Sequence, residues 1–132
     1  TARASMIALH KAITAGLVRA CHDCSEGGIG VALAEMAFSG DVGATVALAS
    51  IPCESGMRED YILFSESNSR FIVEVEPEVA KMFEEAVKGL PFAWIGETSP
   101  GSRLVVNGQT DSLVDEHISD LKEAWKKPLG SV

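Results

Sequence analysis

The sequence predicts an α/β sandwich in which a mixed β-sheet is packed with helices, in a single domain spanning residues 1–132. Three observations predict it. Apolar residues recur at helical spacing in several segments, and short β-branched runs interleave with them. The dipeptide Asn107-Gly108 is a two-residue hairpin signal, which excludes an all-parallel sheet. A chain of this length buries roughly two thirds of the surface exposed by its unfolded form, enough for one core.

In chain order, Met6, Ile7, Leu9, His10 and Ile13 follow a helical period that Gly16 ends, glycine being suited to the left-handed position after a last turn. Residues 17–22 read as a short strand. Ser25 then caps a second helix carrying Ile29, Leu33, Met36 and Phe38 as far as Gly40. Between positions 30 and 38 the only charged residue is Glu35, so this helix is apolar nearly all round and belongs at the centre of the fold. Residues 43–48 alternate as a strand, and 70–75 are the clearest strand by β-propensity; both are expected in one sheet. Pro77 opens a third helix through Val79, Met82, Phe83, Ala86 and Val87, with Gly89 just beyond it. Residues 92–96 and 103–106 read as strands, and the Asn107-Gly108 turn leads to a short partner at 109–111. Val114, Ile118, Leu121 and Trp125 stripe a last, surface helix that Pro128 terminates.

The acidic balance narrows the partners. With 19 acidic against 11 basic residues the net charge is −8, which repels nucleic acid and anionic lipid, and the nearest approach to a basic cluster is Lys126-Lys127. No apolar run approaches the ~20 residues that cross a bilayer, and the start lacks the layout of a secretory signal, so neither nucleic acid nor membrane is expected and the location reads as cytoplasmic. A helical beginning at Thr1 without an initiator Met reads as a cut between domains of a longer protein. Three cysteines cannot all pair, and Cys21-His22-Asp23-Cys24 lacks the second ligand pair of a zinc site, so they read as buried or half-buried free thiols.

The segment with most chemical content is His22-Asp23-Cys24-Ser25-Glu26-Gly27-Gly28, where a strand gives way to the buried helix. Amides in a first helical turn lack intrahelical partners, the helix dipole adds positive potential, and Gly27 and Gly28 let a phosphate approach the backbone. Asp23 is placed to hold a magnesium ion shared with phosphate oxygens, and Ser25 to cap the helix or donate to a phosphate. The plainer reading stays beside it: Ser or Asp before a helix is first a cap, and paired glycines permit tight helix packing. His22 next to a carboxylate reads as a structural hydrogen-bonding pair. In the second polar cluster, 65–70, Glu66 and Arg70 are expected to pair and brace a turn. No Ser-His-Asp order, zinc-protease motif, P-loop or dinucleotide fingerprint occurs, and no catalytic residue is assigned.

Residues 17–28, then Ala32-Leu33-Ala34-Glu35-Met36-Ala37, then Leu63-Phe64-Ser65-Glu66-Ser67 with Arg70-Phe71, resemble the C-terminal domain of the small form of the phosphoribosylformylglycinamidine synthases. The likeness runs in order over about residues 8–96. It implies the aminoimidazole ribonucleotide synthetase-like superfamily, whose C-terminal domain is an α/β sandwich with a partly ferredoxin-like sheet. It also implies an ATP- and glutamine-dependent amidine-forming ligase of purine biosynthesis, with Mg2+ and ATP or ADP as cofactors of the full-length enzyme. The implied partners are the preceding N-terminal-type domains, a glutaminase subunit and a small accessory subunit. By residue, the resemblance places Asp23 at a magnesium position and Ser25 at a nucleotide contact of an auxiliary site; Glu26 departs from the Asp of the large form. The fragment alone is expected to be inactive. Two alternatives stand beside this: a non-catalytic scaffold domain, and the same domain of a related synthetase of aminoimidazole ribonucleotide or selenophosphate type.

Overall fold

The computed structural model describes residues 2–128, so the expectation attached to Thr1 lies outside the described residues. The helices are α1 (Ala2–Thr14), α2 (Gly28–Gly40), α3 (Glu59–Phe64), α4 (Ala80–Ala86) and α5 (Ile118–Lys126). The strands are β1 (Ala20–Asp23), β2 (Gly43–Ala47), β3 (Phe71–Glu74), β4 (Gly96–Ser99), β5 (Arg103–Asn107) and β6 (Ser112–His117). This is the mixed α/β class the sequence predicts.

The strands do not form the one sheet expected. β1 and β3 make a two-stranded antiparallel ribbon, and the others form a four-stranded sheet in the order β4-β2-β5-β6, with β2 and β5 parallel. The division follows from α2. Its buried residues, among them Ile29, Ala32, Leu33, Ala37 and Phe38, lie on several faces, so one helix packs on the ribbon and on the larger sheet at once. After β2 the chain dives into the core at Leu48 and Ile51, both under 5% exposed, and this separates β2 from β3.

Around α2 the main core gathers Val46, Leu48, Ile62, Ile72, Leu104, Val106 and Ile118. A smaller cluster of Ala12, Leu17, Phe83 and Val87 joins α1 to α4 over the other side of the ribbon. β3 serves both with the two-residue period of a strand: Ile72 enters the main core while Val73 packs on the smaller one.

Several boundaries move, each for a local reason. β1 begins at Ala20 and not at 17, because Gly16 (φ 72) and the Leu17 N–H, bonded to the Ala12 carbonyl at 3.0 Å, complete the end of α1. The apolar run before the second polar cluster is the end of α3, whose first turn carries Glu59 and Asp60. Residues 92–95 are not a strand: Phe92 and Trp94 pack on Phe83 with ring centroids 6.4 and 6.2 Å away, and the Trp94 indole donates to Glu84 at 2.8 Å. The hairpin after Asn107 is longer than two residues. Gly108 N–H bonds to the Asp111 carbonyl at 2.8 Å and Gln109 N–H to Glu59 at 2.7 Å, so β6 starts only at Ser112 and takes Val114 out of the last helix.

Candidate functional site

β1 ends at Asp23 and α2 starts at Gly28, with Cys24 turned into the core between them. Both glycines of the turn are left-handed, at φ 77 for Gly27 and 64 for Gly28. Ser25 does not cap the helix through its hydroxyl; its carbonyl accepts the Gly28 N–H at 3.1 Å. The Gly27 N–H donates instead to Glu66 Oε1 at 3.0 Å, a carboxylate brought from the second polar cluster to the positive end of the helix. The expectation of unpaired amides at Gly27 and Gly28 is therefore corrected, since both N–H groups have partners within the chain. Glu66 also does not pair with Arg70, whose guanidinium donates to the Ser65 hydroxyl at 2.9 Å.

Close packing accounts for the glycines. A Cβ on Gly28 would stand 2.7 Å from the Ser65 carbonyl oxygen and 2.8 Å from that of Leu63, and one on Gly30 would meet the Phe64 ring at 3.0 Å. The start of α2 thus presses on the backbone of 63–65, and the two polar clusters singled out in the sequence form one joint.

The histidine has a partner the sequence did not suggest. His22 Nε2–H donates to Glu35 Oε2 at 2.6 Å, and the Trp125 indole N–H donates to Glu35 Oε1 at 2.9 Å. Trp125 also packs on Phe38, with centroids 5.8 Å apart. Glu35 thereby ties β1, α2 and α5 together; the available signal was that it is the one charge on an apolar helix. Glu35→Ala removes both acceptor sites and is expected to lower stability by about 2 kcal/mol in urea unfolding, with loss of near-ultraviolet circular dichroism from Trp125. An unchanged midpoint would show that the two bonds contribute nothing.

Asp23 and Ser25 face outward. The Asp23 carboxylate is 64% exposed, and its one ion-pair contact among the described residues is His22 Nδ1 at 3.4 Å, while the Ser25 hydroxyl makes no hydrogen bond to the described residues. No group of three or more His, Cys, Asp or Glu gathers for a metal among the described residues. Asp23 therefore offers one hard oxygen ligand, which suits magnesium when phosphate and water supply the remaining positions. Of the three free thiols only Cys24 is buried; Cys21 and Cys53 are exposed, against the expectation of buried or half-buried thiols. Partial desolvation raises the thiol pKa of Cys21, with the Asp23 charge adding to it, and burial raises that of Cys24, opposed by Arg70. Both therefore stay protonated and poorly nucleophilic at neutral pH.

The family described as AIR synthase related protein, C-terminal domain, matches residues 2–109. The chain belongs to that family. Among curated relatives of this AIR synthase related domain, phosphoribosylformylglycinamidine synthase subunit PurL of Deinococcus radiodurans is 38% identical over 121 residues, covering 91% of the chain and 16% of the relative. Among solved structures, Thermotoga maritima PurL complexed with ATP superposes with a TM-score of 0.80 at 28% identity, over 89% of this chain and 21% of that one. The structure of PurLQS from the same organism matches with a TM-score of 0.81 at 25% identity, over 91% and 21%. The AIR synthase related domain thus spans about a sixth of its curated relative's length. No helix of the described residues is long and apolar enough to cross a membrane.

Proposed function

We propose that this chain is one domain of a longer phosphoribosylformylglycinamidine synthase, an ATP-dependent C–N ligase that acts in the cytoplasm. That enzyme would convert formylglycinamide ribonucleotide, ATP and glutamine-derived ammonia into the amidine. The observation that carries the reading is the family match over residues 2–109 together with the superposition on an ATP-complexed PurL. An open apolar face supports it: Met6, Ile7 and Ile13 of α1 are each more than 45% exposed, as suits a surface covered by preceding domains of the same chain. A glutaminase and a small accessory subunit are the further partners, in line with the PurLQS relative.

At the entrance to α2, Asp23 would hold Mg2+ and the Ser25 hydroxyl would donate to a nucleotide phosphate. Bound there, magnesium would neutralise phosphate charge. Gly27 and Gly28 shape the turn, and the Glu66 carboxylate marks where an anion sits against the Gly27 N–H, so a phosphate reaching that amide must displace it. His22, fixed by Glu35, holds the end of β1 next to Asp23. A second reading, a scaffold domain without its own ligand, is favoured by that same Glu66 contact, which satisfies the helix end from within.

Adding the purified 132-residue chain to ATP, magnesium, the ribonucleotide and ammonia is expected to give no amidine. Turnover by this chain alone would place the chemistry within it and overturn the assignment.

A further inference from the structure

Asn107 and Gly108 do not make the two-residue turn that the pair predicts, so the presence of both residues there calls for another account. Gly108 is set by packing. A Cβ on it would stand 2.6 Å from Glu59 Oε1 and 3.1 Å from the Asp111 carbonyl oxygen, so a side chain would push out the carboxylate that accepts the Gln109 N–H at 2.7 Å. Asn107 ends β5 opposite Ser112, where the ladder shifts register. It is exposed, and its carboxamide makes no hydrogen bond to the described residues. The hairpin thus sets a free carboxamide directly before a peptide nitrogen that no side chain shields.

We propose that Asn107 is a site of spontaneous covalent modification, held in check by the folded hairpin. In the first step the Gly108 nitrogen gives its proton to a solvent base and bonds to Asn107 Cγ. The Cγ–Nδ2 bond breaks, and ammonia leaves with a proton taken from water. Water then opens the resulting succinimide at either carbonyl, which leaves aspartate or isoaspartate at position 107. Water is the only co-reactant.

The folded chain opposes the first step in three ways. β5 keeps the backbone extended, whereas ring closure turns the peptide nitrogen toward the side chain. The Gly108 N–H donates to the Asp111 carbonyl at 2.8 Å, a bond that must break before the nitrogen attacks. Glu59 sets a negative charge beside Gly108, which disfavours an anionic nitrogen there. Opening the hairpin removes all three restraints at once. Isoaspartate then routes the main chain through Cβ and lengthens it, so Gly108 and Gln109 no longer fall in register with Asp111 and Glu59. Because Glu59 begins α3, the same event loosens the hold of the hairpin on that helix.

Peptide mapping by mass spectrometry, with isoaspartate separated chromatographically, tests this on the 132-residue chain kept in mildly alkaline buffer with and without guanidinium chloride. In denaturant, Asn107 should be modified ahead of Asn68, the other asparagine, whose following Ser69 carries a side chain. In buffer, with circular dichroism confirming the fold, the rate at Asn107 should be lower by about tenfold or more. Glu59→Ala, shown to be folded in the same way, should raise the rate in buffer about threefold, the size of one lost hydrogen bond, and leave the rate in denaturant unchanged. Glu59→Gln keeps an acceptor oxygen without the charge, carries less risk to the fold, and should raise the rate by a smaller factor. Equal rates at Asn107 with and without denaturant overturn the proposal, as does modification of Asn68 ahead of Asn107 in denaturant. Rates in buffer that neither Glu59 variant changes overturn the restraint assigned to Glu59.

Discussion

Gly28→Ala is expected to destabilise the domain by about 3 kcal/mol, in the upper part of the range for single substitutions. Alanine at φ 64 carries a backbone penalty of about 1–2 kcal/mol. The new Cβ would also fall 2.7 and 2.8 Å from two carbonyl oxygens of the 63–65 segment, and neither is a flexible side-chain end that could move aside. Relief requires α2 to lift off that segment, which loosens the Glu66 contact to Gly27 as well. Gly56 provides the control, since it shares a positive φ of 78 but has nothing within 4 Å of the point a Cβ would occupy. Gly56→Ala should therefore cost only the backbone penalty, about 1 kcal/mol. Urea unfolding midpoints of the two variants compare them directly, and equal losses would contradict the close packing described here.

Leu104→Ala is expected to cost about 3 kcal/mol, within the range for emptying a core leucine site. Leu104, the second residue of β5, is 2% exposed between Ala44 on β2 and Glu116 on β6, and faces the core built on α2. Strands on either side hold its backbone, so the site cannot collapse readily to fill the space. Val105, half-buried on the opposite face, should cost about 1 kcal/mol when changed to alanine. If the two substitutions had similar effects on the urea midpoint, the assignment of the core to the α2 face of the sheet would be wrong.

The helices were legible because the 3.6-residue period is local, and the central place of α2 because charge is missing from it except at Glu35. Strand pairing was not legible to the same degree. Residues 43–48 and 70–75 look equally fit to join one sheet, and they part because α2 packs on both sheets while the chain between them is buried at Leu48 and Ile51. The β-propensity of Phe92 and Trp94 came from aromatic rings that pack on Phe83, and the ladder itself starts only at Gly96. At the candidate site, the positions of Asp23, Ser25, Gly27 and Gly28 at a strand-to-helix turn were readable from residue order. The acceptor for Gly27 lies 39 residues further on, and the Trp125 partner of Glu35 is 90 residues away, distances at which local chemistry gives no cue.

These long-range contacts also define what the turn contributes. Glu66 satisfies one helix-end amide, the 63–65 backbone fixes Gly28, and Asp23, Ser25 and Glu26 are exposed on the turn. Titration calorimetry of magnesium-ADP into the longer synthase proposed above, with Asp23 intact and with Asp23→Ala, tests the proposed magnesium role of Asp23 most directly. The account expects the variant to lose metal-dependent ADP binding at this site while its fold is unchanged. Equal metal-dependent occupancy in both proteins would contradict it and leave the domain as a scaffold.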